Sequence, residues 1–339
     1  MSLPDHYQDA DGAASPTLKA LAAGDFTELA RRFAVGGLDV RVPGSGMLHL
    51  RAPHPAAMQL LVSVGVHGNE TTPIAMLASL LQSLAETPMA LAVDLLIVVG
   101  NPAAIARGTR FIDADLNRLF CTERGKFAGS AEARRADAIM AITSAFLAAP
   151  AGPQWHLDLH SAIRPSRYAR FAVIPACADD RQQAPLAAWL GSAAVEAMLF
   201  NSQRASTYSA YTARSFGTVS CTVELGQVGT LGNSSPYELQ ATRRALDALL
   251  RNQAPAAGGP MPASFQVVQE IIRHSEDFRM NIDDACHNFT AFAPGSIIAS
   301  EGQQIARVGA ATEYVVFPNP HVPIGQRAAL MVVETILPS

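Results

Sequence analysis

Short apolar runs rich in β-branched residues alternate with longer helical patterns from residue 58 onward. The run Gln59–Val66 predicts a buried strand, because almost all of its positions are apolar. Similar runs predict strands at Ala92–Val99, Gln154–His160, Arg170–Pro175 and Val219–Leu225. The patterns between them predict helices at Ile74–Leu81, Ser130–Leu147, Pro185–Leu199 and Pro236–Leu250. This alternation predicts an α/β fold with a mixed, mainly parallel sheet covered by helices on both faces.

Two segments interrupt the alternation. Residues 103–129 show no steady period and predict a long irregular loop, which in a compact domain is usually functional. Arg251–Pro262 is rich in Pro, Gly and Ala and predicts a linker. Short strands with little helix follow it at Phe265–Ile272, Ser296–Ala299, Tyr314–Phe317 and Ala329–Glu334. We therefore predict a weakly patterned N-terminal segment (1–45), a large α/β domain (46–252), a linker (253–262) and a smaller β-rich C-terminal domain (263–339).

Composition narrows the class of protein. Charged residues make up 16% of the 339 residues, below the ~25% of an average soluble protein, which fits a sheet buried on both faces. No apolar run approaches the ~20 residues of a membrane span, and the N-terminus lacks a signal-peptide pattern, so we expect a soluble, cytoplasmic protein without membrane partners. A net charge of −4 without a basic run argues against nucleic-acid binding. The four cysteines form no CxxC pair, which argues against a disulfide framework and a thiolate zinc site.

Polar residues stand at the ends of the predicted strands. His67, Asn101, His160 and Glu224 each lie at or just past the C-terminal end of one strand. In an open α/β sheet this edge forms the ligand-binding crevice, so residues far apart in the chain meet there. The sequence therefore predicts one polar site built from several strand ends.

Some of these residues have the character of metal ligands. His67 and Glu70 are three residues apart in the turn before a helix that we expect to begin at Thr72, and they can converge on one cation. Together with His160 they form a set of two His and one Glu, which is typical of catalytic zinc. The alternatives are a solvated turn histidine beside a glutamate that favours the helix dipole, and a core histidine bonded to Asp158.

The remaining candidates are a carboxylate and several cationic or amide donors. A zinc hydrolase needs a carboxylate that is not a ligand, and Glu224, at the end of an apolar strand, suits that role; an ion pair with an arginine is the alternative. The irregular loop supplies Arg110, Asn117 and Arg118, whose side chains suit carboxylates and a developing oxyanion. Arg214 could reach the same crevice. Solvated surface arginines would equally explain this cluster.

Six motifs carry a resemblance to a known family. They are Val66–Thr71, Gly100–Pro102, Asp115–Phe120, Trp155–Arg164, Val223–Gly226 and Glu313–Pro320. In this order, from about residue 60 to the C-terminus, the chain resembles the succinylglutamate desuccinylase/aspartoacylase family of the zinc carboxypeptidase superfamily. The resemblance implies a zinc carboxypeptidase-like fold and hydrolysis of N2-succinyl-L-glutamate to succinate and L-glutamate, a step of arginine catabolism.

The same resemblance implies roles for individual residues. The zinc ligands of the family fall on His67, Glu70 and His160, which implies one Zn²⁺ per chain, and its general acid/base falls on Glu224. The arginine that polarises the scissile carbonyl falls on Arg110. The residues that bind substrate carboxylates fall on Asn117, Arg118 and Arg214.

Several questions stay open at the level of sequence. The tyrosine that accompanies the last of these arginines is not at the family spacing, since Tyr211 lies one residue off, and Arg164 and Asp158 have no assigned role. The expected partner is a small anionic N-acyl amino acid, and a homo-oligomer is neither required nor excluded. The alternatives in function are an aspartoacylase-like deacylase of another N-acyl amino acid and a zinc- or ligand-binding protein without turnover.

Overall fold

The computed structural model describes residues 15–150, 152–176, 183–227, 236–254 and 259–336. Within these ranges the strands are β1 (Asp39–Gly44), β2 (Met47–Arg51), β3 (Gln59–Val64), β4 (Asp94–Val99), β5 (Gln154–Ala162), β6 (Arg170–Pro175), β7 (Ala197–Asn201), β8 (Val219–Gln227), β9 (Ala263–Ile272), β10 (Arg279–Met280), β11 (Thr290–Phe292), β12 (Ile297–Glu301), β13 (Gln304–Arg307), β14 (Glu313–Val316) and β15 (Arg327–Thr335). The α-helices are α1 (Pro16–Ala23), α2 (Thr27–Val35), α3 (Thr71–Leu84), α4 (Pro102–Arg107), α5 (Ala131–Leu147), α6 (Gln183–Ser192), α7 (Tyr208–Phe216) and α8 (Pro236–Leu250).

Twelve strands form one sheet in the order β1-β2-β4-β3-β5-β8-β6-β7-β9-β15-β14-β11. The neighbours β4, β3, β5 and β8 are parallel, so their carboxyl ends lie along one edge. Antiparallel pairing joins β2 to β4 on one side and β6 to β8 on the other. The site residues predicted at strand ends therefore belong to the parallel centre of a mixed sheet.

Apolar side chains cover both faces of this sheet. On one face Trp155 and Leu157 of β5 pack in a cluster with residues of α1, α2, α3, α6 and α8. On the other face Leu61 and Leu96 pack with residues of α5 and α7. The predicted α/β fold, with helices on both faces and a β-rich C-terminal region, is confirmed, and burial on both faces accounts for the low charged fraction of the chain.

The prediction of one helix over Pro185–Leu199 is wrong in its second half. Helix α6 ends at Ser192, and β7 begins at Ala197 and pairs in parallel with β6. Ala194 has a φ of 58°, which a right-handed helix cannot contain, so the chain turns there into the strand. The apolar run before Asn201 fits either a helix or a buried strand by pattern, and pairing with β6 selects the strand.

Two further expectations are corrected locally. The segment 103–129 is not irregular throughout, because it contains most of α4 and two short 3₁₀ turns at Leu116–Arg118 and Gly125–Phe127. Helix α3 begins at Thr71, one residue before Thr72, where the Thr72–Pro73 pair predicted the helix start. Its N-cap residue is Glu70, whose side chain makes no capping hydrogen bond. The Glu70 carboxylate is instead bonded to two histidines.

The sheet continues across the predicted domain boundaries. The hairpin β1–β2 spans residue 45, and β9, after the predicted linker, pairs in parallel with β7. A second, three-stranded sheet of β10, β12 and β13 lies in the C-terminal region. The boundaries themselves stay predictions, and residues 255–258 of the linker lie outside the described residues, as do Cys177 and the N-terminal residues 1–14.

The cysteines and the helices of the described ranges bear on the expected absence of disulfides and of membrane spans. Cys121, Cys221 and Cys286, the cysteines within the described ranges, are free. Every helix in those ranges is too short or too polar to cross a lipid bilayer.

Candidate metal centre

Three buried side chains meet at the carboxyl edge of the parallel strands. His67 lies in the turn after β3, Glu70 directly precedes α3, and His160 lies near the end of the adjacent strand β5. Their ligand atoms all lie within 4.8 Å of one another. The Glu70 carboxylate bridges the two rings, at 2.7 Å from Nδ1 of His67 and 2.8 Å from Nδ1 of His160. This cluster can hold a metal ion.

Each histidine has a second carboxylate behind its ring. Nε2 of His67 lies 2.9 Å from Asp115, and Nε2 of His160 lies 3.0 Å from Asp158. An ionised carboxylate only accepts hydrogen bonds, so each Nε2 donates to its aspartate, and each Nδ1 faces the Glu70 carboxylate and would exchange its proton for a bound metal ion. Such partners fix the tautomer and ring orientation of metal-binding histidines. Asp158, left unassigned by the sequence, is therefore the hydrogen-bond partner of His160.

The charges of the cluster support one another. Burial opposes ionisation of Glu70, yet the neighbouring His67 and His160 lower its pKa well below the usual range. Arg110 donates from Nη1 to Glu70 over 3.0 Å, and the amide of Ser161 donates to the other oxygen over 3.1 Å. Glu70 is thus held as a carboxylate in a buried position, where it is available as a ligand.

The turn that carries His67 depends on Gly68. A Cβ atom at this position would lie 2.2 Å from the carbonyl carbon of Ala104 in α4. The amide of Gly68 also donates to the carbonyl oxygen of Arg110 over 3.1 Å. The absence of a side chain therefore lets the metal-binding turn pack directly on α4 and on the loop that carries Arg110.

Glu224 lies beside this cluster and is not part of it. In the register of β5 and β8 it stands opposite His160. It is 7% exposed, and its Oε2 has no hydrogen-bond partner among the described residues. Burial raises the pKa of Glu224 to about 7, although the nearby charge of His160 acts to lower it. A buried carboxyl group with this pKa can both accept and donate a proton near neutral pH.

The loop between Arg110 and Arg118 is anchored by a residue that the sequence did not single out for this purpose. Glu132, in the first turn of α5, is 1% exposed and accepts hydrogen bonds from the amides of Ile112, Asp113 and Ala114. Its proximity to the helix N-terminus was the only signal in the sequence. Asn101, expected in the crevice, instead caps α4 by accepting from Ala104 and donates to Glu132 over 3.3 Å.

The residues predicted to bind carboxylates keep hydrogen-bond donors that their described contacts do not use. Asn117 is 5% exposed, and its Oδ1 accepts from the amide of Tyr208 at the start of α7, which leaves its NH₂ group as a donor. The exposed Arg118 donates to the carbonyl oxygen of Asn117 over 3.0 Å. Arg214 is exposed and donates to the carbonyl oxygen of Ala205 over 3.1 Å. None of these described contacts neutralises either arginine.

The remaining candidates fall in different places. Tyr211 packs against Phe120 in the core between α7 and α5, and its hydroxyl donates to the carbonyl oxygen of Met140 over 3.4 Å. Arg164 donates to the carbonyl oxygen of Asp284 in the C-terminal region. Both contacts are structural.

A further cation, which sequence reasoning missed, comes from β15. Burial and the charge of Arg118 lower the pKa of Arg327 to about 10, and Nη1 of Arg327 lies 3.7 Å from Oε1 of Glu270. Arg327 lies over the Phe317 ring, at 6.0 Å from its centroid, and Phe317 packs against Phe171, the register partner of Glu224. Nothing in the sequence around Arg327 indicated that its charge would interact with that of Arg118.

Comparison with known proteins agrees with the geometry. The sequence pattern of the succinylglutamate desuccinylase/aspartoacylase catalytic domain matches residues 56–252, and that of the AstE/AspA barrel-sandwich hybrid domain matches residues 261–335. The chain belongs to the succinylglutamate desuccinylase/aspartoacylase family. The resemblance inferred from the sequence motifs is therefore confirmed.

Named relatives extend this finding over most of the chain. Succinylglutamate desuccinylase of Burkholderia orbicola (strain MC0-3) is 38% identical over 297 residues, which cover 86% of each chain. The enzyme of the same name from Burkholderia lata is 38% identical over 309 residues, covering 89% of this chain and 88% of the relative. The crystal structure of the Vibrio parahaemolyticus protein has a TM-score of 0.81 at 31% identity, covering 88% of this chain and 89% of that one. The family is hydrolytic, and this member is a hydrolase acting on an amide bond.

Proposed function

We propose that this chain is a zinc-dependent amidohydrolase that cleaves N2-succinylglutamate to succinate and glutamate. The observation that carries the proposal is the buried Glu224, with an oxygen unpartnered among the described residues, next to the cluster of His67, Glu70 and His160. A carboxyl group of this kind beside a metal-binding set is what amide hydrolysis requires. The names of the Burkholderia and Vibrio relatives support the choice of substrate.

The donor set fits zinc. Two imidazole nitrogens and one carboxylate form the protein ligands of many catalytic zinc sites, which leave a further coordination position open. Nδ1 of both histidines faces Glu70, and Asp115 and Asp158 hold the opposite nitrogens. A zinc ion bound there would supply Lewis acidity that lowers the pKa of water toward ~7 and polarises the amide carbonyl.

The residues of the chain would carry out the proton transfers. Glu224, with a pKa of about 7, accepts a proton from the attacking water and then donates it to the departing glutamate nitrogen. Arg110, which donates to Glu70 and is 29% exposed, would donate to the oxyanion that develops on the substrate. One carboxyl group therefore serves both halves of the reaction, and the arginine stabilises the charge that develops between them.

Specificity for this substrate would come from cations around the crevice. Succinylglutamate carries three carboxylates, each of which can form a bidentate pair with an arginine. A smaller or uncharged acyl amino acid leaves such an arginine unpaired and therefore binds more weakly. Asn117, Arg118 and Arg214 are the residues we assign to these carboxylates, because each retains donors that the described contacts do not use up.

The test combines metal analysis with product detection. We expect purified protein to contain about one zinc per chain and to release succinate from N2-succinylglutamate. N-acetylaspartate serves as the competing substrate in a parallel assay. Faster hydrolysis of N-acetylaspartate would overturn the proposed substrate. Zinc binding without hydrolysis of either compound would instead indicate a ligand-binding protein.

A further inference from the structure

A row of buried polar side chains runs from the metal centre to α7. Its members are fully or almost fully buried and lie on three neighbouring strands and one helix. In order from the helix side they are Ser220, Thr212, His156, Ser63 and Asp158, and we call them the buried polar chain. Hydrogen bonds of 2.9, 2.8, 2.8 and 2.5 Å join successive members. Asp158 then accepts from His160 over 3.0 Å.

The direction of these hydrogen bonds is fixed by their last acceptor. The Ser63 hydroxyl donates to Oδ1 of Asp158. Ser63 must then accept from Nε2 of His156, which places the proton of that ring on Nε2. Burial lowers the pKa of His156 to about 4, so the ring is neutral and Nδ1 accepts from the Thr212 hydroxyl. The protons on His156 and Ser63 therefore point toward Asp158, while the hydroxyls of Thr212 and Ser220 also lie 3.0 and 3.1 Å from the carbonyl oxygens of Ser209 and Thr218.

The chain connects two parts of the site that are far apart in the sequence. Thr212 lies in α7, the helix that also carries Arg214 and whose first amide, that of Tyr208, donates to Asn117. At the other end, Asp158 determines which nitrogen of His160 faces Glu70. Burying a polar group costs free energy unless its hydrogen bonds are made. Because all five side chains of the buried polar chain are hydrogen-bonded in sequence, they favour one arrangement of the site.

We propose that His156 is a positioning residue which, through Ser63 and Thr212, holds His160 in the tautomer that ligates metal through Nδ1. By this route the position of α7 and the affinity for metal are coupled. The inference rests on the metal site of the proposed function, although it concerns metal affinity and not turnover. His156 itself touches neither the metal ligands nor the substrate-binding residues in the described contacts.

The test compares substitutions that differ only in the hydroxyl group. Thr212→Val keeps the volume of the side chain and removes the donor to His156, whereas Thr212→Ser keeps the donor. We expect Thr212→Val to weaken zinc binding at least about tenfold and Thr212→Ser to stay close to wild type. Zinc affinity is measured by competition with a chromogenic chelator on the full-length protein. Ser63→Ala, which breaks the chain next to Asp158, should weaken binding at least as much.

A matched control separates this role from general loss of a buried hydrogen bond. Thr242 is as buried as Thr212, and its hydroxyl donates to the carbonyl oxygen of Ala193 over 2.7 Å, away from the metal centre. Thr242→Val should therefore leave zinc affinity unchanged. Long-range ¹H–¹⁵N spectra of the zinc-loaded wild type should show His156 protonated at Nε2. Protonation at Nδ1 would overturn the inference.

Equal zinc affinity for Thr212→Val, Thr212→Ser and Thr242→Val would also overturn it. The measurement needs no substrate, so its outcome is independent of the proposed reaction. Wild-type protein that binds zinc but leaves succinylglutamate intact would contradict the proposed function and not the buried polar chain.

Discussion

At the scale of single residues, the candidate metal centre contains carboxylates that differ in position and in pKa. Glu70 faces both histidines, while Asp115 and Asp158 stand behind them. The neighbours lower the pKa of all three carboxyl groups, whereas burial raises that of Glu224 to about 7. Carboxyl groups in one site are thus separated into permanent anions and a proton carrier by their surroundings.

This separation predicts the effect of Glu224→Gln. The amide has nearly the same volume but cannot accept a proton, so we expect kcat to fall by about 10²- to 10⁴-fold. Zinc content should stay at the wild-type level, because Glu224 is not one of the clustered ligands. Steady-state kinetics and metal analysis on the same preparation check both parts. Undiminished hydrolysis would contradict the role assigned to Glu224, and loss of zinc would make it a ligand.

At the scale of elements, the site depends on how turns and loops leave the parallel strands. The turn after β3 carries two metal-cluster residues and packs on α4 through Gly68, and α5 holds the loop 110–118 through Glu132. The side chains that we propose to act on substrate are thus carried by segments that are fixed by backbone contacts. Such segments position functional groups better than free loops do.

The close packing at Gly68 predicts the effect of Gly68→Ala. The new methyl group would collide with backbone atoms of Ala104 and Ile105, which cannot move away like the end of a side chain. We expect a loss of about 1–3 kcal/mol in the free energy of unfolding, together with weaker zinc binding. Denaturant unfolding and chelator competition measure these changes.

Gly129→Ala provides the matched control for this substitution. Gly129 has no atom within 4 Å of an added Cβ, so its effect should stay within about 0.5 kcal/mol. Equal stability and zinc affinity in the two variants would contradict the role of Gly68.

At the scale of the whole molecule, a protein with a net charge of −4 is proposed to bind a trianion. Local cations resolve this apparent conflict, since fields at short range depend on neighbouring groups and not on net charge. A further cation, Arg327, belongs to β15 of the same sheet, and its charge interacts with that of Arg118. We therefore propose that the C-terminal region adds a positive charge to a site whose candidate metal ligands all precede residue 161.

This contribution predicts the effect of Arg327→Gln. We expect KM for succinylglutamate to rise about tenfold with little change in kcat, because a lost charge-assisted hydrogen bond is worth about 1.5–3 kcal/mol. Arg307→Gln, in the same region, removes an exposed arginine that donates to the carbonyl oxygen of Gly295 and serves as control. An unchanged KM for Arg327→Gln would remove Arg327 from the substrate site.

The sequence was most informative where local pattern and edge position coincide. His67, His160 and Glu224 were predicted as neighbours because parallel strands deliver their carboxyl ends to one edge, and this holds whatever the exact strand order. The strand β7 was missed because it is a short apolar run directly after a helix. Such a run lacks the polar positions whose spacing distinguishes a strand from a helix.

The α/β class, the candidate residues at the strand ends and, through the motifs, the family could all be predicted from the amino-acid sequence. These depend on local periodicity and on short segments that carry their own signal. By contrast, the carboxylate behind each histidine, the hold of Glu132 on the loop and the interaction of Arg327 with the charge of Arg118 became visible only in the folded chain. Those relations join residues that are distant along the chain, and hydrogen-bond direction, burial and electrostatic coupling exist only once the sheet has brought them together.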